Sequence, residues 1–157
     1  MPVPTVEPKV AILDLIEAQW DTDNVVGAIK PDFHTGWWNP NSNSPQVTFT
    51  GDDELYEGLS GYGAIEGGGG GPVQIVNGVL FADCWAFRSE GVTSPNPKQL
   101  VYDMSEEIRR IILANFNGIT NLTYVSVIAI GDVPPDQGDN PMVFRKSVTI
   151  GFNWRTT

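Results

Sequence analysis

The sequence predicts a single α+β domain: an antiparallel or mixed sheet of about four strands with two helices packed on one face. Three observations carry this. Two stretches repeat apolar residues at helical spacing, and four others alternate or run apolar at strand spacing. The stretches follow one another in the order α-β-β-α-β-β, with no internal repeat and no linker separating two cores. The length of 157 residues suits one domain spanning 1–157.

The first helix is expected over about Glu7–Trp20. Val10, Leu13, Ile16 and Trp20 form one stripe, with Asp14, Glu17 and Gln19 largely off it. Pro8 suits the first turn, where its missing N–H costs nothing. The second helix is expected over about Pro97–Asn115, with Val101, Met104, Ile108, Ile111 and Ile112 on one face. Asn96 is a good N-cap, Pro97 a good first residue, and Gln99 stands where a capping-box partner would. Asn117-Gly118 supplies the stop.

The strands are expected at Gln46–Thr50, Val79–Ser89, Tyr124–Gly131 and Val143–Trp154. The last alternates cleanly, with Phe144, Val148, Ile150, Phe152 and Trp154 on one side and Arg145, Ser147, Thr149 and Asn153 on the other. Val79–Ser89 is apolar on both faces: Leu80, Ala82, Cys84 and Ala86 on one, Phe81, Asp83, Trp85 and Phe87 on the other. A two-layer domain buries only one face of its sheet. The second face therefore needs a cover, either a loop of its own chain or, the reading favoured here because no third helix is available, a neighbouring subunit.

The connections are long. Asn24–Pro45 carries Phe33, Trp37 and Trp38 amid Pro, Gly and Asn, and Gly51–Pro72 carries five consecutive glycines. Such loops are uncommon in compact domains and are often functional. Adjacent tryptophans in a long loop suit a protein–protein interface, where Trp is enriched, better than stacking on sugars or bases.

Composition narrows the function classes. A chain with 41% hydrophobic and 18% charged residues is neither a collagen, a coiled coil nor fully disordered. No apolar run approaches the ~20 residues of a spanning helix, and the first residues lack the pattern of a secretion signal. Without such a signal the sequon Asn121-Leu-Thr123 is not expected to be used. One cysteine, Cys84, allows no internal disulfide, and one histidine, His34, excludes a Cys/His zinc cluster. Nine Lys and Arg stand against 19 Asp and Glu, a net charge of −10. That field repels nucleic acid and anionic membranes. It would suit a high-salt host, but an ordinary acidic protein is the favoured reading.

Tests for chemistry are mostly negative. The glycine run is followed by Pro72 and a strand-like stretch rather than a helix N-terminus, so it is not a phosphate loop. Asp21-Thr-Asp23-Asn24 starts like a calcium loop, but Val25 takes a ligand position. Asp132, Asp136 and Asp139 read as turn residues. Ser60 lies outside a nucleophile elbow, and His34 beside Phe33 and Trp37 reads as a packing or interface residue. Asp83 is the best candidate for a perturbed carboxylate, but a carboxylate paired with an arginine, Arg88 or Arg145, or exposed near a strand edge, is the favoured reading. No catalytic, cofactor or metal residue is expected, and the chain is not expected to be an enzyme.

The order of elements resembles the tail terminator (tail completion) proteins of long-tailed viruses of bacteria and archaea. The resemblance rests on Val10–Trp20, the Pro-flanked Ser44-Pro-Gln-Val-Thr-Phe-Thr50, Val79–Phe87, the amphipathic Pro97–Asn115, and the closing hairpin of Tyr124–Gly131 with Met142–Trp154. It implies a structural virion protein at the head–tail junction, made in the host cytoplasm. It further implies a homohexameric ring that caps the tail tube, ends its polymerisation and joins it to the head-side connector. Genome DNA would pass through the channel without specific binding, and no membrane is involved. Interface candidates under this reading are Phe33, Trp37 and Trp38 in the first long loop. Tyr56 and Tyr62 with Gly67, Gly68, Gly69, Gly70 and Gly71 belong to the second, and Phe81, Trp85 and Phe87 to the strand. The rival readings are another neck, head-completion or tube protein, and a soluble ligand-binding module using the two loop tryptophans.

Overall fold

A computed structural model describes residues 7–42, 44–56, 75–88, 96–133 and 143–155, with the side chains at 52–56, 75 and 155 left aside. Helix α1 spans Pro8–Gln19, followed by two single 3-10 turns at Thr22–Asn24 and Val26–Ala28. Strands β1 (Asp32–Thr35), β2 (Gln46–Tyr56) and β3 (Ile75–Phe87) come next. Helix α2 (Pro97–Ala114) and strands β4 (Tyr124–Val133) and β5 (Val143–Arg155) complete the chain.

The architecture is α+β, as the sequence predicts, with five strands rather than four. They form one sheet in the order β1-β2-β3-β5-β4. All neighbours are antiparallel except β1 and β2, whose pairing is parallel. The added strand is β1, four residues inside the stretch expected to be a loop. Its residues Asp-Phe-His-Thr are too few to show a period, and it forms only because β2 offers it an edge. β2 and β3 also run longer than expected. At Gly51, with φ +73°, a bulge between Thr50 and Asp53 absorbs the interruption in β2 that the alternation alone reads as an end.

Both helices lie on one face. α2 packs over β3, β5 and β4, and α1 packs against α2, β1 and β2. The expected stripe of α2, Val101, Met104, Ile108, Ile111 and Ile112, is wholly buried. It shares one core with Leu80, Ala82, Cys84, Val148, Ile150, Phe152 and Trp154. Asn96 is the N-cap, its side chain accepting from the Lys98 amide at 3.0 Å. Gln99 does not close a capping box; it donates to Asp103 one turn on. α1 buries Pro8, Ile12, Leu13 and Ile16, with Trp20 just beyond its end, and leaves Val10 only partly covered. The buried stripe steps by four from Pro8 through Ile12 and Ile16 to Trp20, and that register displaces Val10.

Glu107 ties the region after α1 to α2. Its fully buried carboxylate accepts from the Asp21 amide at 3.0 Å, Asn24 Nδ2 at 2.9 Å and the Arg110 guanidinium. Burial pushes this carboxyl up, but hydrogen bonds from Arg110, the Asp21 amide and Asn24 together outweigh burial and hold it below the usual range. A carboxyl lowered on folding stabilises the fold above its unfolded pKa, and that contribution fades as pH falls through the folded value. Thermal midpoints measured against pH should therefore fall on acidification below about pH 4. Glu107→Gln should lower the midpoint at neutral pH and flatten this acid limb. An identical acid limb in the variant would show that Glu107 does not contribute to it.

Candidate functional site

The most elaborate side-chain cluster among the described residues sits on the sheet face away from the helices. Register places Gln46, Trp85 and Arg145 in one row across β2, β3 and β5, with Thr48, Asp83 and Ser147 in the next. Trp85 and Arg145 are therefore direct cross-strand neighbours, and the guanidinium lies 4.8 Å from the indole centroid. The chain from Gly36 to Asn39 returns over this row. Trp37 meets Trp85 edge-on at 5.2 Å, and Trp38 stacks on Trp85 at 5.5 Å and reaches Phe87 at 5.6 Å. Arg145 also lies 4.9 Å from the Trp37 ring, so one guanidinium serves two indoles.

Polar contacts hold this strap. Gln46 Nε2 donates to the Asn39 carbonyl at 2.9 Å, and Gln46 Oε1 accepts from the Asn39 amide at 2.7 Å. His34 Nε2 lies 3.2 Å from the Trp37 carbonyl. The Trp85 indole N–H donates to Thr48 Oγ1 at 2.9 Å, which satisfies both groups in a buried setting. Asp83, fully buried, receives Arg145 Nη2 at 2.8 Å. Of the two pairings weighed from sequence, Arg145 is the partner; Arg88 lies over the Phe144 ring instead. Asp83 Oδ1 and Arg145 Nε are buried without a hydrogen-bond partner, so the pair is joined at one point only.

This arrangement revises the sequence reading of the second sheet face. At its Trp85–Phe87 end the protein's own Trp37–Trp38 strap lies over it, the own-chain loop that the sequence offers as one of two covers. Trp38 is turned inward and half-buried, whereas Trp37 stays 58% exposed. Phe33 packs edge-on against Trp20 at 5.3 Å beside the core, away from the cluster. Phe81 stands further along the same face at 39% exposure. Tyr62 and Gly67, Gly68, Gly69, Gly70 and Gly71 lie outside the described residues, as do Asp136 and Asp139; Tyr56 is described by its backbone only, at the end of β2.

Beyond the Asp83–Arg145 pair, the described side chains on the outer face of β3, β5 and β4 include Phe81, Ser147, Thr149, Gly151, Ser126, Ile128 and Ala129. The sequence reading missed Ile128, which is 60% exposed. A bulge between Val127 and Ala129 shifts the alternation of β4 and turns Ile128 outward over Gly151. Leu113, Phe116 and Tyr124 were missed as well, although Leu113 falls visibly off the buried stripe of α2.

No group of three or more His, Cys, Asp or Glu among the described residues could hold a metal ion. Asp132 accepts from Lys146 at 3.1 Å. Among the described residues no helix is long and apolar enough to cross a membrane. Cys84 is fully buried on the helix face, and burial, reinforced by the negative charge of Asp83, pushes its thiol far up despite nearby Lys146. The native protein should therefore resist an aromatic disulfide reagent at pH 8 and release one equivalent of thiol after denaturation. Stoichiometric labelling of the native state would contradict this burial.

No protein-family model matches the chain, and no curated protein matches it.

Proposed function

We propose that this protein is a structural subunit of a long-tailed virus, acting at the head–tail junction as a tail terminator. In that role copies form a ring on the last ring of the tail tube, end its growth and receive the head-side connector. The observation that supports this best is the difference between the two faces of the sheet. The helix face is closed by a complete core. Among the described residues the outer face is closed only at the Trp85 end, leaving Phe81, Ile128 and half of Trp37 in solvent. Exposed apolar groups of this size suit protein contacts. The net charge of −10 suits a wall past which DNA slides, because it offers phosphates few cations.

The test is electron microscopy of a viral lysate lacking this protein. Filled heads lying beside separate tails, some overlong, are expected. Normal virions with normal tail length would overturn the reading. Purified protein separates the neighbouring possibility of a tube protein: a tube protein alone stacks into filaments, whereas a terminator stops at one ring.

A further inference from the structure

Polar and aromatic contacts both hold the Trp37–Trp38 strap to the sheet, and Arg145 joins the two kinds. Its guanidinium lies 4.9 Å from the Trp37 ring and 4.8 Å from the Trp85 ring, and its Nη2 donates to Asp83 at 2.8 Å. Asp83 therefore reaches the strap through Arg145. The strap leaves the sheet at Gly36, whose amide donates to the Phe49 carbonyl at 2.9 Å. Gly36 has φ +99°, and a Cβ there would meet nothing within 4 Å. A glycine in open space can turn without displacing its surroundings.

Opposing terms meet at the ion pair. The guanidinium attracts both indoles, and the carboxylate fixes it between them. Against this, Asp83 Oδ1 and Arg145 Nε are buried without a hydrogen-bond partner. Leaving such groups unpaired is costly, and the cost is recovered when they reach water. A two-point fork would have satisfied both atoms, but a guanidinium held over two rings meets the carboxylate at one point. The core gives the strap no further support. Trp37, Trp38 and Trp85 lie outside the cluster that α2 and the inner sheet face share. A segment balanced in this way and detached from the core can open by itself, below the cost of global unfolding.

We infer that the Asp83–Arg145 pair is the latch of this strap. Asp83 is a positioning residue that holds Arg145 between Trp37 and Trp85. When the pair parts, the strap turns out about Gly36 and bares Trp85 and Phe87 while the helix-side core stays closed. The device is independent of the role proposed above, and its test needs only the purified protein.

Hydrogen exchange followed by NMR provides that test. The Trp85 indole N–H donates to Thr48 Oγ1 at 2.9 Å beneath the strap, and Trp85 is 5% exposed, so this proton exchanges when the strap lifts. The amides of Ile108 and Ile111, in the middle of α2, report global unfolding. After correction for intrinsic rates, the Trp85 indole of the parent should exchange at least about tenfold faster than those amides. Asp83→Asn keeps the shape and removes the charge; Arg145→Met keeps the stem and removes the guanidinium. Each should raise the Trp85 rate, relative to the α2 amides, by roughly a further tenfold, about the effect of losing a cation held between two rings. Arg145→Met also leaves Asp83 without its cation, and any global loss that follows is measured by the α2 amides and removed by the ratio. Because Asp83 acts through Arg145, adding Asp83→Asn to Arg145→Met should raise the ratio no further. Exchange of Trp85 in step with α2 in the parent overturns the latch, as does an unchanged ratio in either single variant. So does a double variant that adds the full effect of Asp83→Asn, since Asp83 would then act on the strap by another route.

Discussion

Replacing Gly78 by alanine is expected to destabilise the fold by roughly 3 kcal/mol or more, because no room exists for a methyl group. Gly78 is buried in β3 directly opposite Phe152 of β5, and the Phe152 ring lies across its backbone. A Cβ there would stand 2.1 Å from Phe152 Cζ and within 2.6 Å of two further ring atoms. The ring has nowhere to retreat, being only 3% exposed among Val125, Ile150 and the α2 stripe. It must leave its place, and the cost then approaches that of losing a core phenylalanine, ~3–5 kcal/mol. The measurement is a double-mutant cycle by denaturant unfolding. Gly78→Ala should cost much less in a Phe152→Leu background, where the clash is smaller, giving a coupling of the order of 1 kcal/mol or more. Additive effects would show that the glycine is needed for its backbone freedom rather than for the ring.

That pair marks the boundary of what the sequence discloses. Phe152 is legible from strict alternation along the last strand, but nothing along the chain says that Gly78 lies beneath it, because the partnership exists only across β3 and β5. The buried face of α2 is legible for the opposite reason: its spacing is a local property and the core has only to accept it. β1 and the longer β2 were hidden because their pairing depends on a neighbouring edge and on a glycine bulge. The cluster on the outer face was legible in part. Trp37, Trp38, Trp85, Phe87 and Asp83 stand out by type, and Arg145 as a possible partner by charge. Their convergence was not visible, since it requires the Gly36–Asn39 strap to fold back onto the strand row of Gln46, Trp85 and Arg145. Ile128 escaped because the bulge breaks the period that would have placed it.

The largest functional effect is expected from the two strap tryptophans, and the structure assigns them different duties. Trp38→Ala removes stacking on Trp85 and contact with Phe87, opening one side of an indole that is 5% exposed in the intact protein. Aromatic pairs contribute ~0.5–1.5 kcal/mol each beyond burial, so a loss of about 2–3 kcal/mol in unfolding free energy is expected. Trp37→Ala removes one edge contact and one guanidinium contact at a side chain already more than half in solvent, so about 1–2 kcal/mol is expected. Neither change reaches the core beneath the helices, so the double variant should remain folded with a lowered midpoint. It should also fail in assembly, because Trp37 stands at the end of the surface that carries Phe81 and Ile128, and the variant loosens Arg145 over buried Asp83. Under the proposed terminator role, a virus carrying both changes should show separate heads and tails in electron micrographs of the lysate. Trp37→Ala alone separates the two duties. Near-parental stability with lost head–tail joining makes Trp37 a contact residue. Normal virions from the double variant would confine both tryptophans to holding the strap on its own sheet.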